Sequence, residues 1–154
     1  MKAEDVMTPD PTTCGPEDDL SAAIDVMKKE NCGIVPIIEG NGASRVVGVV
    51  TDRDIALYLG ENDVRPSEVR VSEVMTTDIV SCPPDADIQE VSRKMQEAQV
   101  RRVLITDGKR LLGVVSTADL ARASAHSKRD EVGEEVERVM EKVSEETPGN
   151  RPRT

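Results

Sequence analysis

The chain repeats itself, and nothing else in the sequence limits its possible folds so strongly. At an offset of 68 residues, Val6-Met7-Thr8 falls on Val74-Met75-Thr76, Cys14 on Cys82, Asp19-Leu20 on Asp87-Ile88, Met27 on Met95 and Val35 on Val103. Further along the offset becomes 65, so that Gly48-Val49-Val50-Thr51 falls on Gly113-Val114-Val115-Ser116 and Asp54-Ile55 on Asp119-Leu120. Three residues missing from one connection of the second copy account for the change, and surface connections tolerate such deletions. The chain is two copies of a unit of about sixty residues, and repeats of this kind cover one another's apolar surface.

Each copy reads as strand, helix, strand, strand, helix. Thr12 to Cys14 and Ile79 to Cys82 are brief extended stretches, closed by Gly15-Pro16 and Pro83-Pro84. The helix that follows takes Asp19 or Asp87 as its N-cap, with Asp87 and Glu90 at capping-box spacing. Leu20, Ile24 and Met27, and in the second copy Ile88, Val91 and Met95, recur with the period of a helix that buries one face. Two β-rich runs come next: Ile34 to Ile38 and Val46 to Val50 around a Gly40-Asn41-Gly42 turn, then Val103 to Thr106 and Leu111 to Val115 around Asp107-Gly108. A second helix opens at Thr51 or Ser116.

The expected fold class is α+β, with two pseudo-symmetric repeats packed face to face and a charged C-terminal helix. The expected divisions are residues 1–60 for the first repeat, 61–70 for a linker, 71–124 for the second repeat, 125–147 for the helix and 148–154 for a mobile tail. In that helix Val132, Val136, Val139 and Val143, spaced 4, 3 and 4, draw one apolar seam suited to its own domain or a partner subunit.

Composition removes several functions. The 154 residues carry a formal net charge of −10, and Tyr58 is the one aromatic side chain. Binders of single-stranded nucleic acid stack bases on aromatic rings along a positive groove, so nucleic acid is not an expected partner. Aromatic cages for quaternary ammonium ligands are excluded as well. No apolar run approaches the ~18 residues of a membrane span. The opening Lys2-Ala3-Glu4-Asp5 does not read as a signal peptide, so the expected location is the cytoplasm. Cys14, Cys32 and Cys82 form no CxxC pair and read as reduced thiols, and His126 has no Cys or Glu at ligand spacing, so no metal is expected.

Chemistry concentrates at the strand-to-helix junction. Gly48-Val49-Val50-Thr51-Asp52-Arg53-Asp54-Ile55 is echoed by Gly113-Val114-Val115-Ser116-Thr117-Ala118-Asp119-Leu120. A hydroxyl beside the free N–H groups of a helix start holds a phosphate, and an Asp three residues on offers acceptors to the two hydroxyls of a ribose. Together they suit a nucleotide. The same Thr-x-x-Asp spacing also makes a helix cap. Spacing alone does not separate a repeated site from a repeated cap.

The Met-Thr starts, the Gly33-Ile34-Val35-Pro36-Ile37-Ile38 strand and the tandem Gly-apolar-apolar-Thr/Ser-x-x-Asp junctions resemble a pair of CBS domains, the module named after cystathionine β-synthase, over residues 3–124. The resemblance implies a pseudo-symmetric disc with two clefts between the copies. These clefts take adenosine-containing ligands such as AMP, ADP, ATP, NAD(P) or S-adenosylmethionine. Flat homodimers that act as sensors are implied too, with any enzyme affected being a separate polypeptide. Position by position, Thr51 and Asp54 match the phosphate and ribose positions of one site, and Ser116 and Asp119 those of the other. Thr12-Thr13 and Val80-Ser81 fall where the first strand faces adenine, between aliphatic walls such as Ile34, Val80, Val103 and Leu104.

Arg101 and Arg102 fall where members that bind phosphorylated ligands carry basic residues, whereas their counterparts Gly33 and Ile34 are uncharged. A phosphate is therefore expected at the second-repeat site, unless these arginines serve in surface ion pairs. Arg53 and Arg122 are secondary candidates on the helices that start at the junctions. Pro36 matches the family's first strand, but its counterpart is Leu104; and Thr117-Ala118 replaces Asp52-Arg53, so the two sites are expected to differ. Catalysis is not expected, since no nucleophile and base stand at recognisable spacing and no Walker-type loop is present. The competing reading is a ligand-free interaction or stress-response scaffold in which both junctions are only helix caps.

Overall fold

The computed structural model describes residues 1–40, 45–126 and 130–145. The chain is mixed α/β, and its described residues divide into two compact units, one within Pro11–Ile79 and the other formed by Met1–Asp10 together with the described residues between 80 and 145. The N-terminal segment thus belongs with the second copy, and the Met75-Thr76 segment with the first.

In the Pro11–Ile79 unit, helix α2 (Leu20–Glu30) starts at Asp19, whose carboxylate accepts the Ala22 N–H at 3.1 Å. Strands β2 (Ile34–Glu39) and β3 (Arg45–Thr51) pair antiparallel, with Ile34 opposite Thr51 and Pro36 opposite Val49. Helix α3 (Asp52–Glu61) leaves β3 without a loop. The core gathers Leu20, Ala23, Val35, Ile37, Val50 and Ile55, an aliphatic set as the composition requires. The connection expected over 61–70 carries a short 3₁₀ turn, Pro66–Glu68, followed by another at Val71–Glu73. It is no loose tether. Val69 and Val71 are buried in the same core, fastened by Leu20 N–H to the Val69 carbonyl at 2.9 Å and Val71 N–H to the Asp18 carbonyl at 2.7 Å.

The other unit holds α1 (Ala3–Val6), β1 (Thr8–Pro9), β4 (Ser81–Cys82), α4 (Ile88–Ala98), β5 (Arg102–Asp107), β6 (Arg110–Ser116), α5 (Thr117–His126) and α6 (Asp130–Glu145). Strands β5 and β6 repeat the antiparallel pairing, and β4 lies parallel to β5. Helix α6 packs on α4 and α5, and its Val136, Val139 and Val143 join the core of Ile88, Val91, Met95, Val103, Ile105 and Leu120. Three of the four seam valines are therefore used within the chain's own unit. The side chain of Val132, Asn41 and Gly42 of the expected turn, and the expected tail from 148 lie outside the described residues.

The junction glycines have a steric reason. A Cβ on Gly113 would stand 2.5 Å from Met7 Sδ and 2.8 Å from the Thr8 carbonyl, and one on Gly48 would stand 2.8 Å from both Met75 Sδ and the Thr76 carbonyl. The Met-Thr segments cross these strands there, Thr8 pairing with Val114 and Thr76 with Val49. The Met-Thr starts and the glycines are thus two halves of one packing device.

Local details differ from the sequence reading in two places. Asp87 caps α4 through the Gln89 N–H at 2.9 Å, so the box expected with Glu90 is not closed. The first extended stretch is reduced to a single bridge between Cys14 and Ile37, whereas its counterpart is the strand β4. Proline explains this. Leu104 N–H donates to the Val80 carbonyl at 3.0 Å, and Pro36, having no N–H, leaves the Thr12 carbonyl without that bond.

Candidate functional site

Both strand-to-helix junctions are closed capping boxes. At the first, the Asp54 N–H donates to Thr51 Oγ1 at 3.1 Å and the Thr51 N–H donates to Asp54 Oδ2 at 3.2 Å. At the second, the Asp119 N–H donates to Ser116 Oγ at 3.2 Å and the Ser116 N–H donates to Asp119 Oδ2 at 2.8 Å. Each box satisfies helix N–H groups that would otherwise be orphaned. A carbonyl just ahead of the neighbouring strand takes the next one, Gly33, before β2, accepting from Asp52 N–H and Arg101, before β5, from Thr117 N–H, both at 3.0 Å.

The second box is more fully committed than the first. Ser116 Oγ also donates to Asp119 Oδ2, at 3.0 Å, and the Arg122 guanidinium bonds to Asp119 Oδ1. Asp119 is 7 % exposed, while the side chain of Arg122 is 67 % exposed. At the first junction Asp54 is half-buried, and among the described residues its Oδ1 and the Thr51 hydroxyl hydrogen have no partner. The position equivalent to Arg122 is Leu57, an exposed apolar side chain.

Charge separates the two copies as well. Arg101 and Arg102 stand half-buried at the start of β5, beside the N-terminus of α5, and form no ion pair among the described residues. The ion-pair alternative is thus not realised there. At the first junction the Asp52 carboxylate lies 3.1 Å from where a Cβ on Gly33 would stand, and Arg53 is exposed. One helix start faces arginines and the other a carboxylate. Sequence reading named Arg101 and Arg102 but missed Asp52 as their opposite, and it held Arg122 only as secondary. The three-residue spacing of Asp119 and Arg122 on one helix was the available signal.

The extended segments sit in the same units as their junctions. Thr13 is half-buried, and Thr12 is exposed with its hydroxyl donating to Glu30 Oε1 at 3.0 Å. Val80 and Ser81 are half-buried, and the Ser81 carbonyl accepts from Lys94 Nζ. Of the expected aliphatic walls, Ile34 and Val80 keep some exposure, but Val103 does not. Its side chain is fully enclosed in the core under α4 and α5, because neighbours along a strand alternate faces. That placement removes Val103 from the candidate surface. Leu104 and Pro36 lie on the opposite strand faces and are also buried.

Burial pushes the Cys14 thiol up to about 11, with Asp18 adding to the effect, and raises Cys82 for the same main reason. Neither is a reactive thiolate at neutral pH. Among the described residues no group of three His, Cys, Asp or Glu side chains is placed to hold a metal, and no helix is long and apolar enough to cross a membrane.

The family model described as CBS domain matches residues 3–61 and 71–126. The chain is 37% identical over 118 residues to the CBS domain-containing protein YhcV of Bacillus subtilis, covering 77% of this chain and 81% of that one. Hypoxic response protein 1 of Mycobacterium tuberculosis is 34% identical over 120 residues, covering 78% and 82%. A crystal structure of Hypoxic Response Protein I with two coordinated zinc ions gives a TM-score of 0.71 at 34% identity, covering 79% of this chain and 98% of that one. The CBS domain pair of protein MJ0100, in complex with 5'-methylthioadenosine and S-adenosyl-L-methionine, gives 0.72 at 25% identity, covering 83% and 98%.

Proposed function

The chain belongs to the CBS domain family, and from that premise we propose that it is a regulatory module that binds adenosine-containing ligands at its two strand-to-helix junctions. Occupancy is signalled to a separate polypeptide, two copies of the chain pairing to do so, and the chain carries out no reaction of its own. The observation that carries this reading is the duplicated arrangement of a hydroxyl and a carboxylate at a helix start, Thr51 with Asp54 and Ser116 with Asp119, each in one unit with an extended segment. The complex of the MJ0100 pair with two adenosyl compounds supports the ligand class. Without aromatic rings to stack on, adenine rests on aliphatic side chains such as Ile34 and Val80, and backbone groups read its edge. The Thr12 carbonyl, without a hydrogen-bond partner among the described residues, is such a group.

A thermal-shift screen with AMP, ATP, NADH, NADPH, 5'-methylthioadenosine and S-adenosylmethionine tests the reading. Ligand at ~100 Kd adds ~2.7 kcal/mol, a rise in Tm of roughly 5–10 °C for a chain of this size. A flat response to all of them contradicts it.

The closed boxes favour a second reading, an interaction scaffold in which Asp54 and Asp119 are structural caps. On that reading Asp54→Ala and Asp119→Ala lower stability and alter no binding.

A further inference from the structure

The bond between Asp119 and Arg122 has no equivalent at the first junction, and it bears on what the second junction accepts. A carboxylate offers roughly four lone-pair positions. On Asp119 three are taken, by Ser116 N–H, Ser116 Oγ and Arg122. A ribose diol brings two donors, so one existing donor must leave. The Ser116 N–H is fixed in the backbone, and the Ser116 hydroxyl, whose oxygen is the acceptor of the capping box, can turn its hydrogen away but thereby frees only Oδ2. Arg122 is the donor on Oδ1, the oxygen outside the box, and its long, two-thirds-exposed side chain is free to leave it.

Resting on the reading of the junctions as adenosine sites, we propose that Arg122 makes the second junction selective for phosphorylated over unphosphorylated adenosine ligands. The ribose takes Asp119 from Arg122, and the released guanidinium takes the ligand's phosphate. A nucleoside strands the arginine without its counter-ion, whereas a nucleotide supplies a new one in a charge-assisted bond. Arg101 and Arg102, unpaired among the described residues at the same helix start, draw the anion in. The first junction has Gly33, Ile34 and Leu57 in place of these three guanidiniums and the Asp52 carboxylate beside them, leaving exposed Arg53 as the basic side chain of its first helical turn. It is the built-in control, less favourable to anions than the second junction.

The test is calorimetric titration of AMP and of adenosine into the full chain carrying Asp54→Ala, which silences the first junction, with and without Arg122→Leu. Thermal melts confirm that each variant is folded. The expected result is AMP at least tenfold tighter than adenosine with Arg122 present. With Arg122→Leu, AMP weakens tenfold or more, adenosine holds or improves, and the ratio approaches one; Arg122→Lys recovers part of the preference. An unchanged ratio, or an equal loss for both ligands, overturns the exchange while leaving the adenosine reading intact. If the unmodified chain binds neither compound nor any other adenosyl ligand, that reading falls, and Arg122 is a helix brace.

Discussion

Ser116 and Asp119 hold each other across the first turn of α5. The Ser116 N–H and hydroxyl donate to Asp119 Oδ2 at 2.8 and 3.0 Å, and the Asp119 N–H donates back to Ser116 Oγ at 3.2 Å. Asp119→Ala removes the carboxylate half of that box and leaves the Ser116 N–H without a partner. The expected loss is about 1–2 kcal/mol, against about 1 kcal/mol for Asp54→Ala at the more open first box. Urea titrations of both variants check the order. Equal or reversed losses would mean that the extra bonds on Asp119 contribute nothing to folding.

Gly113→Ala places a methyl group 2.8 Å from the Thr8 carbonyl as well as against Met7 Sδ. Overpacking of this kind costs about 1–3 kcal/mol. Trimming Met7 in the same chain restores only part, because the backbone carbonyl remains. A thermal melt of Gly113→Ala within 1 °C of the unmodified chain would contradict the crossing of β6 by the N-terminal segment.

Helix α6 stabilises its unit through buried side chains. Val139, 1 % exposed, stands between α4 and α5 neighbours in the core, so Val139→Ala should cost about 2 kcal/mol. At exposed Met140 the same change should have almost no effect on chemical denaturation.

Cys14 gives a pH signature. Its folded pKa, about 11, lies above the ordinary thiol value of 9.0, so the folded state keeps a proton that the unfolded chain releases first. The associated stability is complete below pH 9 and declines as pH rises through 11. A Cys14→Val variant should therefore show a shallower alkaline fall in unfolding free energy. Parallel curves from pH 8 to pH 11 would contradict it.

Sequence reading reached the elements that local patterning controls. The duplicated order of strands and helices, the caps Asp19 and Asp87 and the seam of α6 all follow from spacing over a few residues. What it missed depends on contacts between distant segments. Nothing near Gly113 states that Met7 crosses it, and nothing in 61–70 states that Val69 is buried against the helix that opens at Leu20. Val103 is one of the aliphatic side chains that a chain almost without aromatics offers as a wall for adenine. Only strand pairing shows that it faces the core and Leu104 the other way. At the junctions the sequence carried both a site and a cap. The structure closes the cap at both junctions and adds the asymmetry of Asp52, Leu57 and Arg122.

The claim that these boxes double as ligand sites is tested most directly by calorimetric stoichiometry. Titrating AMP and 5'-methylthioadenosine into the unmodified chain and into the Asp54→Ala/Asp119→Ala double variant should give saturable binding in the first and none in the second, with the double variant still folded. Undiminished affinity in the folded double variant would contradict the account and leave Thr51-Asp54 and Ser116-Asp119 as helix caps alone.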